Sequence, residues 1–213
     1  MRTWVTVVLG LALAPWAAAN VDLGGSFMPS GPAHLRIAVR LVNSNVVPIK
    51  SLAQAEKIAG AILGQAGVEV NWLECAAVEP LPGIADPCLQ DRRPTDLCLQ
   101  MLMHKPPVFH GDVTGFAVLT PLWKEGESYA GVAYPMVEDT AKSLDGDVRY
   151  VLGATLAHEI GHLLLGAKAH FPSGVMRPRL EREQLRMAAR GELLFTPQQA
   201  SQIRAEVARR MAK

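Results

Sequence analysis

Between Asp147 and Gly166 the chain reads VRYVLGATLAHEIGHLLL, a largely apolar run that nevertheless holds two histidines and a glutamate. Val148, Val151, Leu152, Thr155 and Leu156 recur at helical spacing, with Asp147 placed to cap the start and Gly166 to end it. The segment is therefore expected to be a helix buried on its apolar sides. His158-Glu159-Ile160-Gly161-His162 sits inside it, and a four-residue step brings both imidazoles to one face, about one turn apart. Buried imidazole and carboxylate groups are costly to desolvate without partners. Two neutral ring nitrogens at this spacing can share one zinc ion at about 2.0–2.1 Å. Glu159, displaced from the ligand face, can then reach a water without taking a coordination position, which is the placement of a general base.

The rest of the chain supplies strands and helices on which to mount that helix. Leu35, Ile37, Val39 and Leu41 alternate with Arg36, Ala38 and Arg40, the period of a half-buried strand. A turn around Asn43–Pro48 follows, and Ser51 with Gln54 forms a capping-box pair ahead of a helix carrying Leu52, Ala55, Ile58, Ile62 and Leu63 to Gly67. Val68, Val70 and Trp72 begin a second strand. Strand, helix and strand in that order predict a right-handed crossover between two parallel strands. Prolines 80, 82, 87 and 94 mark residues 76–96 as a loop, and Leu97, Leu99, Met101 and Met103 restart the strand period. Residues 116–120 and 129–134 are two shorter strand candidates, and both are candidates for the sheet edge beside the cleft. Thr196, Pro197 and Gln199 announce a last helix with Ala200, Ile203, Val207 and Met211 on its apolar stripe. From Arg177 onward nine basic residues face four acidic ones, read as a solvated helix face.

Composition narrows the classes. The chain has 213 residues, 49% of them hydrophobic and 19% charged, which suits one globular domain and excludes collagenous, coiled-coil and disordered chains. A net charge of +1 gives no field for nucleic acid. Residues 1–19 read as a cleaved signal peptide: Arg2 is the basic start, Val5–Leu13 the apolar stretch and Ala17-Ala18-Ala19 the small-residue cleavage site. Residues 20–213 then form the mature domain, secreted or periplasmic, with no membrane span. In such an oxidising compartment Cys75, Cys88 and Cys98 favour a bridge. Cys75–Cys88 is preferred because it ties down the Pro-rich loop. Cys98 is then free or paired between chains.

A catalytic zinc takes three protein ligands and keeps one position open. His170 lies four residues beyond Gly166, where the chain has left the helix and can fold back. His158-Glu-Ile-Gly-His162, then Gly166, His170 and Ser173-Gly174-Val175-Met176 resemble the arrangement of the metzincin class of zinc metallopeptidases. The same run is similar to secreted bacterial proteins of unassigned role. The metzincin resemblance implies His158, His162 and His170 as metal ligands, Glu159 as general base and Met176 as the residue of a turn beneath the metal. The usual spacing is H-E-x-x-H-x-x-G-x-x-H, whereas this chain has one more residue on each side of the glycine. Leu165 and Lys168 consequently stand where Gly and His are normally found. A gluzincin-type site, with Glu181 or Glu183 as third ligand, is the rival reading.

His34, His104 and His110 read as surface residues. Tyr129, Tyr134 and Tyr150 are candidates to hydrogen-bond an oxyanion, and Arg177 is a candidate either for a substrate carboxylate or for a structural ion pair. Nucleophile-elbow, phosphate-loop and dinucleotide-binding motifs are absent. The sequence thus predicts an α+β, zincin-like single domain: a small mixed sheet, an active-site helix and C-terminal helices. The expected activity is zinc-dependent hydrolysis of a peptide or protein substrate. The alternative is a zinc-bound, non-catalytic envelope or secreted binding protein.

Overall fold

In the computed structural model, which describes residues 34–75, 86–107, 114–118 and 128–213, the alternating segment after His34 forms strand β1 (Arg36–Val42). Helix α1 (Ile49–Gln65) leads to β2 (Glu69–Cys75), which pairs parallel to β1 with Arg36 opposite Glu69. β3 (Asp96–Leu102) is parallel to β1 on its other side. β4 (Gly115–Val118) is antiparallel to β5 (Tyr129–Ala133), and β5 is parallel to β3, giving the order β2-β1-β3-β5-β4. Helices α2 (Tyr134–Ser143), α3 (Val148–Leu165), α4 (Arg182–Ala189) and α5 (Pro197–Met211) complete a mixed α+β fold of five strands and five α-helices among the described residues. The expected signal segment 1–19, His110 and residues 76–85 of the Pro-rich loop lie outside the described residues.

The core follows from the strand period. Ile37, Val39 and Leu41 of β1 and Leu97, Leu99 and Met101 of β3 are all buried, while Met103 lies past the strand end and is exposed. α3 packs against α1, α2, α4 and α5 and against β4 and β5. Thirteen of its eighteen residues are buried, so it is apolar nearly all round, as a central helix must be. Asp147 caps it, its side chain accepting from the Arg149 N–H. The last helix starts as its sequence predicts: Thr196 Oγ1 accepts from Gln199 N–H, and Gln199 Oε1 accepts from Thr196 N–H.

Several expectations are corrected. α1 begins two residues before Ser51, with extended Pro48 as its N-cap, so Ser51 and Gln54 lie inside the helix and form no capping box. The Pro48 carbonyl already accepts the N–H groups of Ser51 and Leu52, at 2.9 and 3.0 Å. β5 is not an edge strand: β4 folds back along it, and Ala130, Gly131, Val132 and Ala133 are all buried. Tyr134 opens α2 rather than ending a strand. Arg40, expected on a solvated strand face, is only 5% exposed. It meets Asp96 through two nitrogens at 2.9 and 2.6 Å and donates to the carbonyls of Cys88, Gln90 and Asp91. The segment carrying those carbonyls thus covers the second face of β1, and a disulfide between Cys75 and Cys88 fastens it to the end of β2. Cys98 is free.

One buried group opposes folding at neutral pH. Glu56 of α1 is 9% exposed, and its Oε1 has no hydrogen-bond partner among the described residues. Burial, reinforced by Glu74, pushes its carboxyl up to about 7. The folded chain therefore holds a proton on Glu56 that the unfolded chain has already released between about pH 4.5 and 7. Stability contributed at this site falls as pH rises through that window. Glu56→Gln is expected to stabilise the fold by about 2 kcal/mol at pH 8, with the gain shrinking towards zero near pH 4.5. Urea denaturation of both proteins across this range measures the difference.

Candidate metal centre

α3 presents His158 and His162 one turn apart, as their spacing requires. Gly166 then ends the helix with φ +100°, a backbone angle that side-chain-bearing residues rarely adopt, and its N–H donates to the His162 carbonyl at 2.9 Å. The chain turns, with Ala169 N–H donating to the Gly166 carbonyl at 3.2 Å, and brings His170 back over the helix. The two additional residues are absorbed on either side of this turn: Leu165 completes α3 and Lys168 is exposed. His162 Nε2 lies 3.1 Å from both His158 Nε2 and His170 Nε2. Potential ligand nitrogens of the three rings lie within 4.8 Å of one another, the one such His, Cys, Asp or Glu group among the described residues.

The other ring nitrogens identify the tautomer. His158 Nδ1 is 2.8 Å from the Val175 carbonyl, and His162 Nδ1 is 3.1 Å from the Gly166 carbonyl. A carbonyl oxygen can only accept, so each neutral ring carries its proton on Nδ1 and leaves a lone pair on Nε2. Burial pushes the His158 imidazolium down to about 4 and His162 down as well, with neighbouring histidines adding to the effect. Two bare lone pairs at 3.1 Å repel unless a cation lies between them. A tetrahedral ion with ligands at about 2.0–2.1 Å separates its nitrogens by about 3.3–3.4 Å, close to the observed spacing.

Glu159 is 3% exposed, and its buried Oε2 has no hydrogen-bond partner among the described residues. Burial pushes the carboxyl up to about 8. Positive charge held by the three histidines would favour the ionised form. A converging set of imidazole lone pairs beside an orphaned carboxylate oxygen therefore fits a metal ion, with Glu159 outside the ligand set.

The support beneath the site explains two further residues. Met176 is fully buried under α3, and a Cβ at Gly161 would stand 2.4 Å from its sulfur and 3.0 Å from Phe195. Only glycine leaves room for Met176 there. Phe171 N–H donates to the Met176 carbonyl at 2.9 Å, and Val175 N–H to the Leu194 carbonyl at 3.0 Å. These bonds hold both the His170 segment and the carbonyl that orients His158.

The histidines open into a cleft of about 470 Å³, bordered by Thr114–Ala117, by Thr155, and by Arg177–Leu180. Gly115 of β4 comes closest to the chemistry: a Cβ there would lie 2.5 Å from Glu159 Oε1 and 2.8 Å from Cγ and Cδ. Sequence reasoning misses Gly115, Thr155 and Arg179, because only the packing of β4 and the 177–180 segment against α3 puts them in the cleft.

Other candidates fall elsewhere. Glu181 caps α4 and pairs with Arg177 at 2.9 Å, while Glu183 faces Arg186 and Arg190 at 3.7 and 3.8 Å. Neither joins the histidines, so the described residues give no gluzincin-type ligand set. Of its two sequence readings, Arg177 takes the ion pair. Tyr129, Tyr134 and Tyr150 do not line the cleft. His34 and His104 are exposed and are not members of the three-histidine group. No described helix is long and apolar enough to cross a membrane. Compared with protein-family models and with curated proteins, the chain gives no match.

Proposed function

We propose that the chain is an exported zinc-dependent peptidase with a zincin-like, metzincin-type site. The observation that carries this reading is the meeting of three imidazole Nε2 atoms at an open cleft, beside a buried glutamate whose Oε2 has no hydrogen-bond partner among the described residues. Three neutral nitrogen donors favour zinc over magnesium or calcium, which take oxygen ligands, and three protein ligands leave a fourth position for reaction. A zinc ion bound there would supply Lewis acidity to a water and to a peptide carbonyl. Glu159 takes the proton released by the attacking water and delivers it to the departing amine nitrogen. The Val175 and Gly166 carbonyls keep the histidine lone pairs on Nε2. Edge strand β4 offers main-chain groups beside the cleft along which an extended peptide can lie. The Cys75–Cys88 disulfide favours an oxidising, extracytoplasmic setting, in keeping with a signal peptide at 1–19.

Metal content and chelation test the reading together. The zinc-replete full chain is expected to hold one zinc per molecule and to cleave members of an internally quenched peptide library. Phenanthroline should abolish cleavage, and added zinc should restore it. A chain that retains no stoichiometric metal overturns the proposal. A chain that binds zinc yet cleaves nothing favours the non-catalytic binding protein.

A further inference from the structure

The cleft is unevenly charged. Beyond the histidines, the charged lining residues among those described are Glu159, Arg177 and Arg179. Arg177 is neutralised by Glu181, at 2.9 Å. Arg179 is exposed and has no hydrogen bond or ion pair among the described residues. It is an exception in its own segment. Arg182, Arg186, Arg190, Arg209 and Arg210 all meet acidic side chains, and Arg204 donates to the Ala66 carbonyl. The C-terminal arginines are thus a solvated, paired set, and the one left over stands in the cleft.

Gln184 of α4 also lines the cleft and is 8% exposed. Its Oε1 is taken by the Glu181 N–H at 3.3 Å, and Nε2 is the side chain's remaining hydrogen-bond donor. A guanidinium fork with no ion pair among the described residues, in a cavity that also offers an amide donor, is complementary to a carboxylate. Among the described residues that line the cavity the one carboxylate is Glu159, which the proposed chemistry uses.

We infer that Arg179 selects substrates bearing a carboxylate near the bond to be cleaved. This rests on the peptidase reading and names its substrate class. The carboxylate belongs either to an Asp or Glu side chain or to a free peptide C-terminus, and the geometry of a guanidinium accepts both.

The test uses the zinc-loaded full chain, wild type and Arg179→Gln, at equal zinc content. One set of quenched peptides carries Glu or Gln at each position flanking the scissile bond; a second ends in a free or an amidated C-terminus. Affinity for the same peptides is measured by calorimetry on zinc-loaded chains carrying Glu159→Gln, where binding is read without turnover. Wild type is expected to favour the carboxylate member of one set about tenfold, through KM rather than kcat. Arg179→Gln should bring the paired peptides to within twofold. The set that responds tells a side-chain carboxylate from a terminal one. Cleavage of all pairs alike, or a preference that survives Arg179→Gln, overturns the inference and leaves the peptidase reading standing. Absence of both cleavage and binding removes that reading, and the inference with it.

Discussion

Glu159→Gln is expected to lower kcat on any peptide substrate about a thousandfold while leaving one zinc per chain. The substitution keeps the shape of the side chain and changes only whether it can accept a proton. Zinc should remain because the ligand nitrogens belong to His158, His162 and His170, and Glu159 is not among the grouped donors. Stability should not suffer either. The carboxyl is 3% exposed, burial pushes it up to about 8, and its Oε2 has no hydrogen-bond partner among the described residues, so an amide replaces a group that was costly to ionise. The measurements are single-turnover rate, zinc content and urea midpoint on the same preparation. Activity above a few per cent of wild type at full zinc occupancy would remove Glu159 from the role of base. His162→Ala provides the contrasting signature, since losing a ligand should cost metal and activity together.

How far these residues could be read in advance depends on whether their reasons are local. α3 was legible because both of its ends and its apolar sides are written in consecutive residues, from Asp147 to Gly166. The last helix was legible for the same reason, its capping box lying at Thr196 and Gln199. α2 escaped because it presents only Tyr134, Val137 and Ala141 to the core and has no capping side chain. Arg40 escaped because strand alternation gives the face a residue points to, and says nothing of what covers that face. The loop bridged through Cys88 covers it, and Asp96 lies on the neighbouring strand. At the centre, His158, Glu159 and His162 follow from helix geometry. His170 is readable only as a residue placed where the chain can fold back after Gly166, to which the metzincin resemblance adds the ligand role, since no local period fixes where a loop returns. Its arrival depends on Gly166 at φ +100° and on Phe171 bonding to the Met176 carbonyl. Gly115 and Arg179 had no signal in the sequence, because their places are set by tertiary packing.

Gly115 carries the second large effect. Its strand, β4, passes so close to α3 that a methyl group on residue 115 would lie 2.5 Å from Glu159 Oε1 and 2.8 Å from Cδ. Ordinary carbon–oxygen contacts need more than 3 Å, so in Gly115→Ala either the carboxylate or the strand has to shift by about an ångström. β4 is tied to β5 along its length, with Gly115 opposite Val132 and Ala117 opposite Ala130. The side chain of Glu159 is the freer of the two partners, although burial limits the rotamers open to it. Displacing a proton acceptor by about 1 Å costs on the order of a hundredfold in rate, and Gly115→Ala is expected to lose that much kcat with zinc content unchanged. The fold should tolerate it, as glycine inside a strand is itself unfavourable and alanine offsets part of the strain. Rate and zinc content, measured with the urea midpoint, separate this outcome from its rivals. Loss of zinc would mean that the strand pushes on the histidines rather than on the base. Full activity would mean that Glu159 need not occupy the position it has beside Gly115, which would sever the link between the close approach of β4 and the chemistry of the cleft.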